Sequence, residues 1–195
     1  MELSFQTSAH LAKRFARSAH PDKLNTKKLQ TNLEADWKKR AALEARLCQL
    51  VGMPLPKLIR VYILPEEAGV CASNGENKTI LFGVKKSRQT RRLLLFHELA
   101  HILLYPLRKK SRINRLQEEI LVLLIVDLTL FAAASKNDLN YQATRFHARA
   151  YSKAVSLHKA WQKWISRGGT ASAFFRKSWN RDHFDSLSLK DFVNE

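Results

Sequence analysis

The stretch Leu93 to Leu104, LLLFHELAHILL, is apolar apart from two histidines and a glutamate. No other stretch constrains the fold as much. It is too greasy for a surface, so it reads as a buried helix, and such a helix must find partners for His97, Glu98 and His101. In an α-helix, residues four apart project from one face. His97 and His101 can therefore aim ring nitrogens at a single ion about 2 Å away. Glu98, adjacent to the first histidine, reaches a water on that ion rather than the ion itself, which is the logic of HExxH. Zinc would lower the pKa of that water toward neutrality. Glu98 could then take the proton, direct the hydroxide at a peptide carbonyl, and return the proton to the leaving nitrogen.

A catalytic zinc needs a third protein ligand and one open position. No histidine lies between His101 and His147, and Leu107 stands where HExxHxxGxxH would place its last histidine. The next acidic residues, Glu118 and Glu119, open the apolar segment LQEEILVLLIVDLTLF. On a helical wheel Glu119 falls nearer the face of Leu116, Leu123 and Val126, and nearer Asp127, so it is the preferred third ligand, with Glu118 the alternative. Asp127 sits in an apolar run where a bare charge is costly. Two roles are open to it: orienting a zinc histidine through its second nitrogen, or bonding a buried backbone or hydroxyl group. Tyr105, His147 and Tyr151 are candidates to stabilise a tetrahedral oxyanion.

Around this centre the pattern predicts an α+β fold. Helices are expected over 7–19 and 26–51, the latter from Trp37, Ala41, Leu43, Leu47 and Leu50, with Pro54 and Pro56 beyond its end. Leu58–Leu64, a weaker Gly69–Ala72 and Thr79–Phe82 predict a small, mostly antiparallel sheet. Asn74-Gly75 marks its hairpin, because both residues tolerate positive φ. Helices follow at about 89–105, 114–134 and 141–166, and a tail rich in Phe and Trp after Gly168 caps the fold. The expectation is one compact domain over 1–195. A helical segment 1–55 precedes a core at 56–135, where the sheet packs on the HExxH helix and the glutamate helix, and a helical extension 136–195 follows.

Composition adds a partner class. There are 34 Lys and Arg against 17 Asp and Glu, a net charge of +17. The clusters Lys85-Lys86-Ser87-Arg88 with Arg91-Arg92, and Arg108-Lys109-Lys110 with Arg112 and Arg115, bracket the HExxH helix. They could steer an acidic protein, or contact DNA or RNA. The helix at 141–166 also carries Arg145, Arg149, Lys153, Lys159 and Lys163 beside Trp161 and Trp164, which can grip nucleic acid or pack on a core. Cys48 and Cys71 lack metal-ligand spacing and read as reduced thiols of a cytoplasmic protein. The longest apolar run, Ile120–Ala134, has 15 residues, short of the roughly 20 a membrane span needs, so no membrane partner is expected.

VYILPEEAGVCASNGENKTILFG, KKSRQTRRLLLFHELAHILLYP and EEILVLLIVDLTLF, in that order, resemble the strand–turn–strand, HELGH-type helix and glutamate helix of the ImmA/IrrE-type metallopeptidases, within the thermolysin-like group. The resemblance covers about 58–134, and Ala100 replaces the family's usual glycine. It implies a zincin-like fold and a zinc ion held by two histidines and a glutamate, here His97, His101 and Glu119, with Glu98 as catalytic base. It also implies a protein substrate, in some members a helix-turn-helix repressor made by a neighbouring gene. His20-Pro21-Asp22-Lys23 spells the loop of J-domain cochaperones. Only 19 residues precede it, too few for the two helices that loop requires, so a turn and a helix cap explain it more simply.

Overall fold

Leu58–Ile63 alternates faces, with Ile59, Val61 and Ile63 fully buried and Leu58 and Arg60 exposed. Such a strand belongs at the centre of a sheet with one covered face. The computed structural model describes residues 2–8, 10–11, 14, 23–111, 114–132 and 145–173. In chain order these form β1 (Glu2–Thr7), α1 (Lys23–Lys38), α2 (Ala41–Val51), β2 (Leu58–Ile63), β3 (Val70–Asn74) and β4 (Thr79–Gly83). After them come α3 (Arg88–Ser111), α4 (Arg115–Val122), a π-helix (Leu123–Leu130) and α5 (Arg145–Ser166). The protein is α+β, mostly helical, with one four-stranded mixed sheet.

The sheet order is β1-β2-β4-β3. The expected mostly antiparallel arrangement is wrong: β1 pairs parallel to β2, β2 pairs parallel to β4, and only β3 and β4 are antiparallel. Two connections explain this. The link from β2 to β3 runs through the short 3-10 turn Glu66–Ala68, long enough for β3 to skip the place beside β2 and leave it to β4. The link from β1 to β2 carries α1 and α2, the helical crossover that a parallel pair needs. β1 lies within the segment expected to be helical, and its register runs from Glu2 opposite Leu58 to Thr7 opposite Ile63.

The expected single helix over 26–51 is two. α1 buries Leu29, Leu33 and Trp37, and α2 buries Leu47, Leu50 and Val51. Between them Arg40 lies 4.3 Å over the Trp37 ring and donates Nη1 to the Trp37 carbonyl at 2.9 Å. A side chain thus satisfies a carbonyl that the next helical turn would have taken. α2 ends at Gly52, at φ 76°, whose N–H reaches the Cys48 carbonyl, a left-handed cap that suits glycine. α3 passes through Pro106 to Ser111, beyond its expected end near 105. The expected helix over 7–19, the HPDK segment and the tail after Gly168 fall largely outside the described residues.

α3 is the spine of the core. Leu93, Leu95, Phe96, Leu99, Ala100, Ile102, Leu103 and Leu104 are all buried, and each large one is worth about 2–5 kcal/mol against truncation to alanine. It packs against β3, α4 and the π-helix, and the π-helix also touches α2 and α5. α5 buries Ala150, Ala154, Leu157 and Trp161. Among the described residues no helix is long and apolar enough to cross a membrane.

Candidate metal centre

The helix carrying the two glutamates starts from a local signal. The Asn114 side chain accepts the Gln117 N–H at 2.9 Å, and the Gln117 side chain accepts the Asn114 N–H at 2.9 Å. This reciprocal cap fixes where α4 begins, and with it the direction of Glu118 and Glu119. Both are buried, as are His97 and Glu98 of α3, while His101 is half-buried.

Glu119 faces both histidines. Its Oε1 lies 3.4 Å from His97 Nε2 and its Oε2 lies 3.3 Å from His101 Nε2. Charge-assisted N–H···O bonds are shorter, about 2.7–2.9 Å. Two ligands at about 2.0–2.1 Å from a tetrahedral ion, by contrast, stand about 3.3–3.4 Å apart. Glu119 Oε1 is buried and makes no hydrogen bond among the described residues. His97, His101 and Glu119 thus form a group able to hold a metal ion, one donor atom from each lying within 4.8 Å of the others.

The outer ring nitrogens face carboxylates. His101 Nδ1 lies 3.0 Å from Glu118 Oε1. A carboxylate there favours the proton on Nδ1, so in the neutral imidazole the Nε2 lone pair is turned to the centre. Arg108 donates Nη1 to the other Glu118 oxygen at 2.8 Å. His97 Nδ1 faces Asp127 Oδ1 at 3.6 Å. Eight residues separate Glu119 from Asp127, and at 3.6 per turn an α-helix would set them about 80° apart. From Leu123 the chain winds as a π-helix, and its wider i→i+5 turns remove most of that offset. Both carboxylates therefore reach the same imidazole. The Thr129 hydroxyl donates back to the Leu124 carbonyl at 2.6 Å and accepts the Trp161 Nε1–H at 3.0 Å, which ties the π-turn to α5.

These contacts make the centre hungry for positive charge. Burial disfavours a charged His97, but Asp127 and Glu119 outweigh it and raise the imidazole well above its usual range. Burial likewise opposes charge on His101, yet Glu118 and Glu119 push it up to about 9. Glu119 is buried too, and His101 and His97 nevertheless hold its carboxyl below the ordinary value, as His101 and Arg108 do for Glu118. A divalent cation would replace protons in this role.

A cleft of about 510 Å³ opens onto the group. Cys71 to Glu76, from β3 and its turn, form one wall, and Tyr105, Arg108, Arg115 and His147 line it from the helices. Glu98 lines the cleft beside His97 and His101. Burial, followed by the Glu98 carboxylate, raises the Cys71 thiol well above its ordinary pKa. The hairpin leading into this wall forms where expected, for a different reason. Its left-handed residue is Lys78, at φ 51°, not Asn74 or Gly75. Gly75 is small because a Cβ there would lie 2.3 Å from the Cβ of Tyr105.

The structure brings His97, His101 and Glu119 together and places Glu98 beside them. Glu118, the alternative ligand, instead bonds His101 Nδ1, and Asp127 faces His97 Nδ1 at 3.6 Å. Tyr105 and His147 line the cleft, whereas Tyr151 is not among its lining residues. Trp161 is fully buried and Trp164 packs on the core. Several members of the basic clusters are engaged in ion pairs, Arg88 with Asp36, Arg91 with Glu66 and Arg108 with Glu118. Sequence reasoning missed Arg108 as a partner of Glu118. The Asn114–Gln117 spacing, which marks the start of α4, was a signal available to it. Comparison with protein-family models, curated proteins and solved structures finds no match to this chain.

Proposed function

We propose that His97, His101 and Glu119 hold zinc and that the protein is a zinc-dependent peptidase with a zincin-like fold, akin to the ImmA/IrrE-type enzymes. The supporting observation is the pair of 3.4 and 3.3 Å separations between the histidine Nε2 atoms and Glu119, at the floor of a cleft that Glu98 also lines. Two imidazoles and a carboxylate suit zinc. When bound, zinc supplies Lewis acidity, which acidifies water and polarises a carbonyl. Glu98 takes a proton from the attacking water as its oxygen adds to the carbonyl carbon. It returns that proton to the amide nitrogen as the C–N bond breaks. Tyr105 or His147 donates to the carbonyl oxygen as charge builds there. Glu118 and Asp127 hold the two imidazoles in orientation.

The peptide enters along β3. This strand is at the end of the sheet, and its wall faces the cleft, so its outer backbone groups can pair with an extended chain. The substrate in this reading is a protein, such as a transcriptional repressor encoded beside the gene, and the setting is cytoplasmic.

Metal analysis and cleavage assays test the proposal. Purified protein should carry about one zinc per chain, and neighbour-encoded proteins or a proteome-derived peptide library should be cut by wild type and spared by Glu98→Gln. Full zinc in both His97→Ala and His101→Ala, or equal cleavage by Glu98→Gln, overturns it. A second reading, a basic nucleic-acid-binding protein with a structural or degenerate zinc site, is favoured by a surface depression lined by Lys39, Arg88, Arg92 and Phe131. It requires tight DNA or RNA binding with a steep salt slope, which a peptidase alone does not.

A further inference from the structure

Two arginines line the metal cleft, and each rests on an aromatic ring. The Arg108 guanidinium sits 5.1 Å from the Tyr105 ring centre, and one of its N–H groups is taken by Glu118. The Arg115 guanidinium sits 5.2 Å from the Phe146 ring centre. Among the described residues Arg115 forms no ion pair, in contrast to Arg88, Arg91 and Arg108. A guanidinium held over a ring can keep its fork of donors free for other partners, and has less freedom left to lose when a planar anion docks. A carboxylate matches that fork with two parallel hydrogen bonds.

Among the described residues four carboxylates line the cleft: Glu76, Glu98, Glu118 and Glu119. Glu98, Glu118 and Glu119 surround the metal group, and Glu76 sits on the exposed β3–β4 turn. The wall made by the first turn of α4 and the start of α5 therefore holds a ring-supported cation with, among the described residues, no matching anion. Charge alone would not single out this arginine in a chain of net charge +17. Its place in the cleft and its ring support do.

We propose that Arg115 is a specificity-determining residue of the cleft and binds a carboxylate of the substrate peptide, either an acidic side chain or a free C-terminus. The unused donors of Arg108 lie on the same cleft and extend the cationic surface. The inference takes its substrate class from the peptidase reading above, but the carboxylate contact can be measured without turnover.

The test uses the zinc-loaded full chain carrying Glu98→Gln, titrated with short fluorescent alanine-based peptides. Each bears one Glu, Gln or Lys moved along its length, and each has a free or amidated C-terminus. A carboxylate in register with Arg115 should tighten binding about tenfold or more over its neutral counterpart. Arg115→Gln should erase that preference and Arg115→Glu should turn it toward Lys. Lys85→Gln, which removes the same charge from the segment before α3 and lies outside the cleft lining, should keep it. Loss of the preference on amidation assigns the carboxylate to the C-terminus, and its persistence assigns it to the side chain. No carboxylate preference in the Glu98→Gln background, or a preference that survives Arg115→Gln or vanishes in Lys85→Gln, overturns the proposal. The same peptides incubated with the chain retaining Glu98 separate the two readings. Preference without hydrolysis removes the peptidase and keeps the subsite, whereas hydrolysis without preference does the reverse.

Discussion

Glu118 and Glu119 are adjacent in sequence, yet they meet opposite nitrogens of one imidazole: Glu118 lies 3.0 Å from His101 Nδ1 and Glu119 lies 3.3 Å from His101 Nε2. Neighbouring residues on a helix differ by about 100° in direction, and the histidine ring spans that difference. The two carboxylates therefore have separable roles.

Glu119→Ala should abolish tight zinc binding, because it removes a donor. Glu118→Gln should weaken zinc by about 10- to 100-fold, the usual cost of losing an orienting partner. Competition with a chelating dye reads both values. A larger loss for Glu118→Gln than for Glu119→Ala would exchange their roles.

The metal-free protein should lose stability as pH rises. Carboxylates hold His101 up to about 9 in the folded state, above an unfolded value of about 6.5. A raised pKa stabilises fully below the unfolded value and loses that contribution as pH climbs through the folded one. Melting temperature without metal should therefore fall between about pH 6.5 and 9. Zinc competes with those protons, so its affinity should rise across the same window. A metal-free melting temperature flat over that range would contradict the balance of charge described for the centre.

Gly75→Ala should lift the β3–β4 turn from Tyr105, since the added Cβ meets the Tyr105 Cβ at 2.3 Å. Overpacking of this kind costs about 1–3 kcal/mol. Thermal denaturation gives the loss, and it should shrink in a Tyr105→Gly background, which alone removes the Cβ that the new methyl meets. Failure of that rescue would place the strain elsewhere.

Thr129→Val should leave the Trp161 indole N–H without its acceptor and remove the bond to the Leu124 carbonyl. A buried donor left unpaired costs about 1–3 kcal/mol. Urea denaturation should show a destabilisation of that size. A neutral result would mean that the π-turn does not depend on this hydroxyl.

Much of the centre was legible because it rests on one helix period. His97 and His101 share a face whatever surrounds α3, and Glu119 could be preferred over Glu118 by angle alone. The role of Glu118 was not legible, because it depends on how α3 and α4 dock, which no local pattern encodes. The offset of Asp127 was hidden too, since a wheel drawn at 3.6 residues per turn misplaces a residue inside a π-helix. Strand positions 58–63, 70–74 and 79–83 were close to their expected places. Their directions were not, because parallel pairing is set by the crossover and not by alternation. β1 is short and polar at both ends, with Leu3 its single fully buried side chain, so its own sequence announces little. The break between α1 and α2 lacks proline or glycine, and depends on Arg40 folding back over Trp37.

The pairing of β1 with β2 also bears on how the molecule is made. Leu3 lies opposite Ile59, so once β1 has left the ribosome its partner strand β2 is missing until more than fifty further residues have followed. At about 5–20 residues per second that is a wait of roughly 3–11 s. During this interval a short strand edge is open to other chains. Contacts of such long sequence separation also slow folding. Ser4, Gln6 and Thr7 make that waiting strand less apolar, which lowers the tendency of such an edge to pair with other chains.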